Sequence, residues 1–167
     1  YADIQFDYFT APSSESVTLH DGRVVHGISS INSAEDSANS ALHCWPFIEP
    51  LIPEYDAFLV ACYSAHPLVG MLKREIKRLE KAAHLDESSS GKRRRHKYVT
   101  GIFEASIATS LFLISSFQLL DDRDLTKAQA EDSFGIVTTG SIWKPELSKA
   151  VMEMLGNSGE QDGHTAR

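Results

Sequence analysis

The chain has 167 residues, which fits one ordinary domain of about 100–200 residues. Hydrophobic residues make up 42% of it and charged residues 23%, a balance that can fill a core and argues against a disordered chain. Its 16 Lys and Arg stand against 23 Asp and Glu, a net charge of -7, where a general nucleic-acid binder carries a basic surplus.

Residues 4–9 (IQFDYF) are short, β-branched and aromatic, and predict a strand ending at Thr10-Ala11-Pro12. A hairpin is expected next, because Asp21-Gly22 separates the short runs SVTL and RVV. Ser33 followed by Glu35 and Asp36 has the form of a helix start, with a capping hydroxyl and acids in the first turn. Ala34, Ala38, Ala41, Leu42 and Trp45 continue it at helical spacing, and Pro46, Pro50 and Pro53 punctuate the connection that follows.

Residues 57–61 form a near-continuous apolar run, the pattern of a strand buried on both faces in a parallel sheet. Pro67 sits where a helix would begin. Leu68, Val69, Leu72, Ile76, Leu79 and Ala83 trace one face of that helix, with Lys and Arg opposite. Residues 86–97 predict a loop, with a Ser-rich part and the basic run Lys92–Lys97, read as a solvated loop and not as a polyanion site. A strand over 98–102, a helix over 104–120, a charged connection, and a third buried strand over 134–138 follow. Pro145 opens a last helix whose Leu147, Val151, Met154 and Leu155 share a face, and Gly156 closes it. Alternating strands and helices make α/β with parallel sheets flanked by helices the expected class.

Two cysteines are too few for a disulfide scaffold. Residues 107–120 are too short and too polar to span a bilayer, and the N-terminal residues lack the layout of a signal peptide. The expected setting is therefore cytoplasmic, with no membrane and no nucleic-acid partner. No metal-ligand cluster or Gly-rich phosphate loop is visible.

In parallel sheets, ligands bind at the carboxyl ends of strands. The segments expected there are Thr10-Ala11-Pro12, Cys62-Tyr63-Ser64, residues 103–106 (FEAS) and Thr138-Thr139-Gly140. Cys62 precedes a predicted helix N-terminus, where a thiol gains thiolate character and can act as base or nucleophile; the alternative is a buried structural cysteine. His66 would tune that thiol, cap the helix or face solvent. Glu104 suits a helix first turn whatever else it does. Thr138 and Thr139 would donate to a carboxylate or simply cap a helix, and Cys44 would serve packing.

Taken in order, these segments resemble the aspartate/glutamate/hydantoin racemase superfamily, and most of all its fungal hydantoin-racemase-like branch. The resemblance rests on residues 55–68 (YDAFLVACYSAHPL), 101–106 (GIFEAS), and 134–140 (FGIVTTG) with Trp143; Thr10-Ala11-Pro12 and residues 29–32 (SSIN) match more loosely. It implies two facing α/β lobes with the active site between them, and no pyridoxal phosphate, metal or other cofactor. It also implies two cysteines that exchange a proton on opposite faces of the substrate's α-carbon.

Cys62 matches the first of these cysteines. Thr10, Pro12, Ser30, Tyr63, Ser64, His66, Glu104, Ser106, Thr138 and Thr139 would line the substrate. The family's second cysteine lies far downstream, and its first strand precedes the segment that matches residue 1. The expectation is therefore a first lobe over residues 1–106, lacking its first strand, and the beginning of a second over 107–167. The implied activity is racemisation or isomerisation of a hydantoin or amino-acid-like nitrogen metabolite, and a homo-oligomer is expected. The alternatives are a one-cysteine decarboxylase or cis-trans isomerase of a small diacid, or a non-catalytic metabolite-binding module.

Overall fold

The structure, a computed structural model, describes residues 4–13, 15–86, 96–120 and 144–156. The chain divides into two compact units, one of Tyr1–Ala57 with Pro67–Tyr98 and the other of Phe58–His66 with Val99–Arg167. Among the described residues the architecture is α/β: helices with two short two-stranded sheets, one of them a parallel pair.

In the first unit the expected hairpin forms. Strand β1 (Ser16–Thr18) pairs antiparallel with β2 (Val24–His26), Val17 opposite Val25. Gly22 takes φ +83 at the turn, a left-handed conformation that L side chains avoid. Val25 is the buried residue of the pair. Helix α1 (Ala34–Ile48) starts at Ser33, whose Oγ accepts the Asp36 N–H at 3.0 Å, while Asp36 Oδ2 accepts the Asn32 N–H at 3.0 Å. This reciprocal pair satisfies two donors at the helix entrance.

Contrary to expectation, Pro46 does not end α1, which runs on to Ile48. Proline lacks an N–H and so leaves the Leu42 carbonyl without its ladder bond, but the helix continues past it, the Glu49 N–H still reaching the Trp45 carbonyl. A short 3₁₀ turn (Glu49–Leu51) follows. Helix α2 (Pro67–Asp86) begins at the expected proline, and Leu68, Val69, Leu72 and Ile76 are buried on the expected face.

His43 is almost fully buried on α1. Its Nε2 lies 3.0 Å from the Glu15 carbonyl oxygen, which also accepts the Gly27 N–H at 3.2 Å. With the proton on Nε2, the ring donates to the residue that leads into β1, so a buried polar group is satisfied while it ties the hairpin to the helix. The expected strand over residues 4–9 is absent. These residues have no regular structure, and Ile4, Phe6 and Tyr8 are more than two-thirds exposed. Strand propensity is realised only where a neighbour accepts the backbone hydrogen bonds, and no described strand pairs with this segment.

Strand β3 (Ala57–Val60) pairs with β4 (Tyr98–Gly101). The two run parallel, and α2 lies between them in sequence as the long connection such a pair requires. Burial on both faces of β3 does not occur. Ala57 and Leu59 are exposed, Leu59 by 62%, while Phe58 and Val60 are half-buried. Successive side chains alternate between the two faces, and the face that carries Ala57 and Leu59 is exposed.

Helix α3 (Ile102–Leu120) follows β4 without a loop, two residues earlier than expected, because Phe103 is buried in its first turn. Phe103 and Ile107 pack with Leu147 and Val151 of helix α4 (Lys144–Met154), and Leu111 and Ala150 flank the cluster. Gly156, at φ +79, follows α4 as expected. Met154 and Leu155, expected on the buried face, are about 40% exposed. The expected strand over 134–138 and most of the basic run Lys92–Lys97 lie outside the described residues. Among the described residues, no helix is long and apolar enough to cross a membrane.

Candidate functional site at the Cys62 loop

The alternation begun in β3 continues past the end of the strand. Phe58, Val60, Cys62, Ser64 and His66 are the covered members of the row, and Leu59, Ala61, Tyr63 and Ala65 are the exposed ones. The chain bends at Tyr63 and Ser64, so the covering of Cys62, Ser64 and His66 comes from this turn and its packing and not from continued strand geometry. Beyond Val60 this row changes from apolar to a thiol, a hydroxyl and an imidazole. Ser64 and His66 are both at least 95% covered. A covered polar row directly after the carboxyl end of a parallel strand is the arrangement of a binding site in α/β sheets.

Cys62 is a free thiol, half-buried, with Sγ 3.2 Å from Ser64 Oγ. Either atom can serve as donor, so the hydroxyl can give its proton to a thiolate or accept one from the thiol. The His66 N–H donates to the Ser64 carbonyl oxygen at 2.7 Å, a tight turn that fixes the loop. Burial pushes the His66 imidazole below its ordinary value, which keeps the ring neutral at neutral pH.

The outward residue Tyr63 fastens the loop to α3. Its ring meets the buried ring of Phe103 edge-on, with centroids 6.0 Å apart and planes at 87°. Its hydroxyl lies 3.1 Å from Ser106 Oγ. Ser106 Oγ is also 2.8 Å from the Phe103 carbonyl oxygen. A serine hydroxyl has one proton, so when it bonds that carbonyl, the phenol donates to Ser106. The first turn of α3 thus holds the residue next to Cys62 by one ring contact and one hydroxyl pair. Glu104, in the same turn, carries a fully buried oxygen, Oε2, that has no hydrogen-bond partner among the described residues.

Cys62, Tyr63, Ser64, His66, Glu104 and Ser106 all belong to the second unit, where contacts join Cys62 to Ser64 and Tyr63 to Phe103 and Ser106. Thr10, Pro12 and Ser30 belong to the first unit. Thr10 is exposed, the Pro12 carbonyl accepts the Glu15 N–H, and Ser30 bonds locally with Asn32. Thr138 and Thr139 lie outside the described residues. Phe103, which lies in a segment expected at a strand end but not among the expected substrate-lining residues, meets Tyr63 there. Its signal in the sequence is an aromatic residue three positions before Ser106, directly at a strand-to-helix junction. Cys44 is half-buried on α1, and burial pushes its thiol up, as a packing residue would show. No group of three His, Cys, Asp or Glu among the described residues is arranged to hold a metal ion.

No family model matches the chain, and no solved structure matches it. The chain is similar to an uncharacterized protein of Schizosaccharomyces pombe, with 31% identity over 111 residues. That match takes in 66% of this chain and 34% of the relative, so the chain spans about a third of the length of the curated relative it matches.

Proposed function

We propose that the Cys62 loop is the acid/base centre of a cofactor-independent racemase or isomerase acting at the α-carbon of a hydantoin or an amino-acid-like nitrogen compound. The fold would then be part of a two-lobed architecture of the aspartate/glutamate/hydantoin racemase type. The observation that carries this reading is the covered polar row Cys62, Ser64, His66 at the end of a parallel strand, with the thiol 3.2 Å from a hydroxyl. The motif order in the sequence supports it independently.

The chemistry follows from these groups. A thiolate at Cys62 takes the α-proton, becoming a thiol, and the substrate becomes an enolate whose charge rests on the adjacent carbonyl oxygen. A fixed hydroxyl such as that of Ser64 lowers the energy of either anion. Return of a proton to the same face gives exchange with retention. Return from the opposite face, by a second acid, gives inversion.

The test is α-deuterium incorporation in heavy water, followed by NMR over a panel of amino acids and their hydantoins, together with optical rotation. Wild-type chain should incorporate deuterium into at least one compound. Cys62→Ser should lower the rate by about 10²–10⁴, since a serine hydroxyl is a far weaker base. Absence of exchange across the panel, or an unchanged rate in Cys62→Ser, would overturn the reading.

A further inference from the structure

We infer that the outer face of α2 is a docking surface for an acidic helix of a partner protein, held by the row Lys73, Lys77 and Lys81 with Arg74 beside it. The inference is independent of the chemistry proposed at Cys62.

Charge is unevenly placed along the chain. Residues 73–81 (KREIKRLEK) hold five Lys and Arg and two Glu, while the other 158 residues hold 11 Lys and Arg and 21 Asp and Glu. All five of these cations are exposed, and Leu72 and Ile76 on the opposite side of the helix are buried. Both acids are already engaged. Arg78 Nε donates to Glu75 Oε2 at 2.8 Å and Nη2 donates to Oε1, while His96 Nδ1 lies 2.8 Å from Glu80 Oε1. Among the described residues, Lys73, Arg74, Lys77 and Lys81 form no ion pair.

The spacing is the second observation. Lys73, Lys77 and Lys81 stand four residues apart, so they line up along α2 with about 6 Å of rise between neighbours and about 12 Å from end to end. Arg74 and Arg78 form an adjacent row. Exposed helices gain from Glu and Lys alternating at this spacing, because like charges four residues apart repel. Here three lysines follow one another, and the two carboxylates nearby are bonded elsewhere. A local conflict of this kind is expected where an outside group resolves it.

The complement of the row is a row of carboxylates at the same pitch, which a second helix supplies when Glu or Asp recurs at every fourth residue. Exposed charges more than about 8 Å apart are largely screened at physiological salt, so the match is made residue against residue. A nucleic acid fits less well. A long polyanion runs on to the acidic remainder of the chain, and residues 73–81 contain no aromatic side chain on which a base would stack. An anionic membrane also fits less well, because the apolar residues α2 would offer to lipid, Leu68, Val69, Leu72 and Ile76, are buried.

The experiment uses the full chain and two helical peptides of one composition. One carries Glu at every fourth residue along a single face, and the other has the same glutamates scattered around the helix. Binding is measured by fluorescence anisotropy at low salt, where exposed charges are least screened. Wild type should bind the aligned peptide about tenfold more tightly than the scattered one, since each exposed ion pair contributes a factor of about 1.5–5. Combining Lys73→Gln, Lys77→Gln and Lys81→Gln should weaken binding of the aligned peptide by about tenfold, while Arg23→Gln on the hairpin should leave it within about twofold. The triple variant should unfold at the same urea concentration as wild type or higher, because it loses the repulsion within the row. Equal affinity for the two peptides, or an affinity for the aligned peptide that survives the triple substitution, would overturn the inference. Tighter binding of a single-stranded oligonucleotide or of phosphatidylserine vesicles than of the aligned peptide, at the same salt, would overturn it too. If the triple variant does not fold, as judged by circular dichroism, the wild-type ratio of the two peptides decides.

Discussion

Ser64 has one hydroxyl and stands next to one thiol, and the pair divides the labour that the proposed chemistry needs. In that proposal Cys62 would provide the base, and Ser64 a fixed dipole that costs nothing to reorganise during the reaction. Removing that dipole in Ser64→Ala should slow α-deuterium exchange by about tenfold or more, since a hydrogen bond to a charged group contributes about 1.5–3 kcal/mol. NMR exchange rates at saturating substrate check this, and an unchanged rate would show that the 3.2 Å contact is incidental. Tyr63 works differently, because its side chain faces outward and acts through Phe103 and Ser106. Tyr63→Phe keeps the ring contact and loses the hydroxyl pair, and should cost about 1 kcal/mol in urea unfolding.

Among the elements, the hairpin and α1 have the clearest local causes. Gly22 holds a left-handed φ with open space where a Cβ would stand, so Gly22→Ala tests backbone strain alone; it should cost about 1–2 kcal/mol in thermal or urea unfolding. Gly27 is a contrasting case. A Cβ there would lie 2.5 Å from the Ser13 carbonyl oxygen, so the reason for glycine is close approach of two backbones. On α1, Ser33→Ala removes the acceptor for the Asp36 N–H and should cost about 1 kcal/mol. Helix α2 owes its place to its buried face more than to its ends. Leu72→Ala leaves a cavity in the first unit and should cost about 2–5 kcal/mol, measured by the urea midpoint with the slope unchanged.

For the whole molecule, stability should fall as acid is added, and His66 gives one identifiable part of that fall. Its folded-state value is depressed by burial below the ordinary 6.5. Above pH 6.5 the ring is neutral in both folded and unfolded chains, and its contribution is fully present. Below it the unfolded chain takes up a proton that the folded chain resists, so stability is lost as pH falls from 6.5 toward the folded value. Urea unfolding at a series of pH values between 7.5 and about 5 checks the sign. His66→Gln should flatten the slope in this window. A slope that persists unaltered would place its origin in other groups.

The features legible in the sequence are those whose causes are local. Asp21-Gly22 specified a turn, Ser33 with Asp36 specified a helix entrance, Pro67 and Gly156 marked two ends, and the spacing of Leu68, Val69, Leu72 and Ile76 specified a buried face. Each follows from backbone geometry or helical period within a few residues. Packing settled what depends on neighbours. Residues 4–9 have strand-like composition and no described partner strand, and β3 has an apolar run with one open face. Pro46 lies within a helix it was expected to terminate. Cys62, Tyr63, Ser64, His66, Glu104 and Ser106 were nameable from their segments. That Tyr63 turns outward to Phe103 and Ser106, that Ser64 and His66 join the covered row, and that one oxygen of Glu104 is buried without a donor are consequences of packing. The sequence carries each residue's chemistry, but burial and partnership arise only when segments far apart in the chain meet.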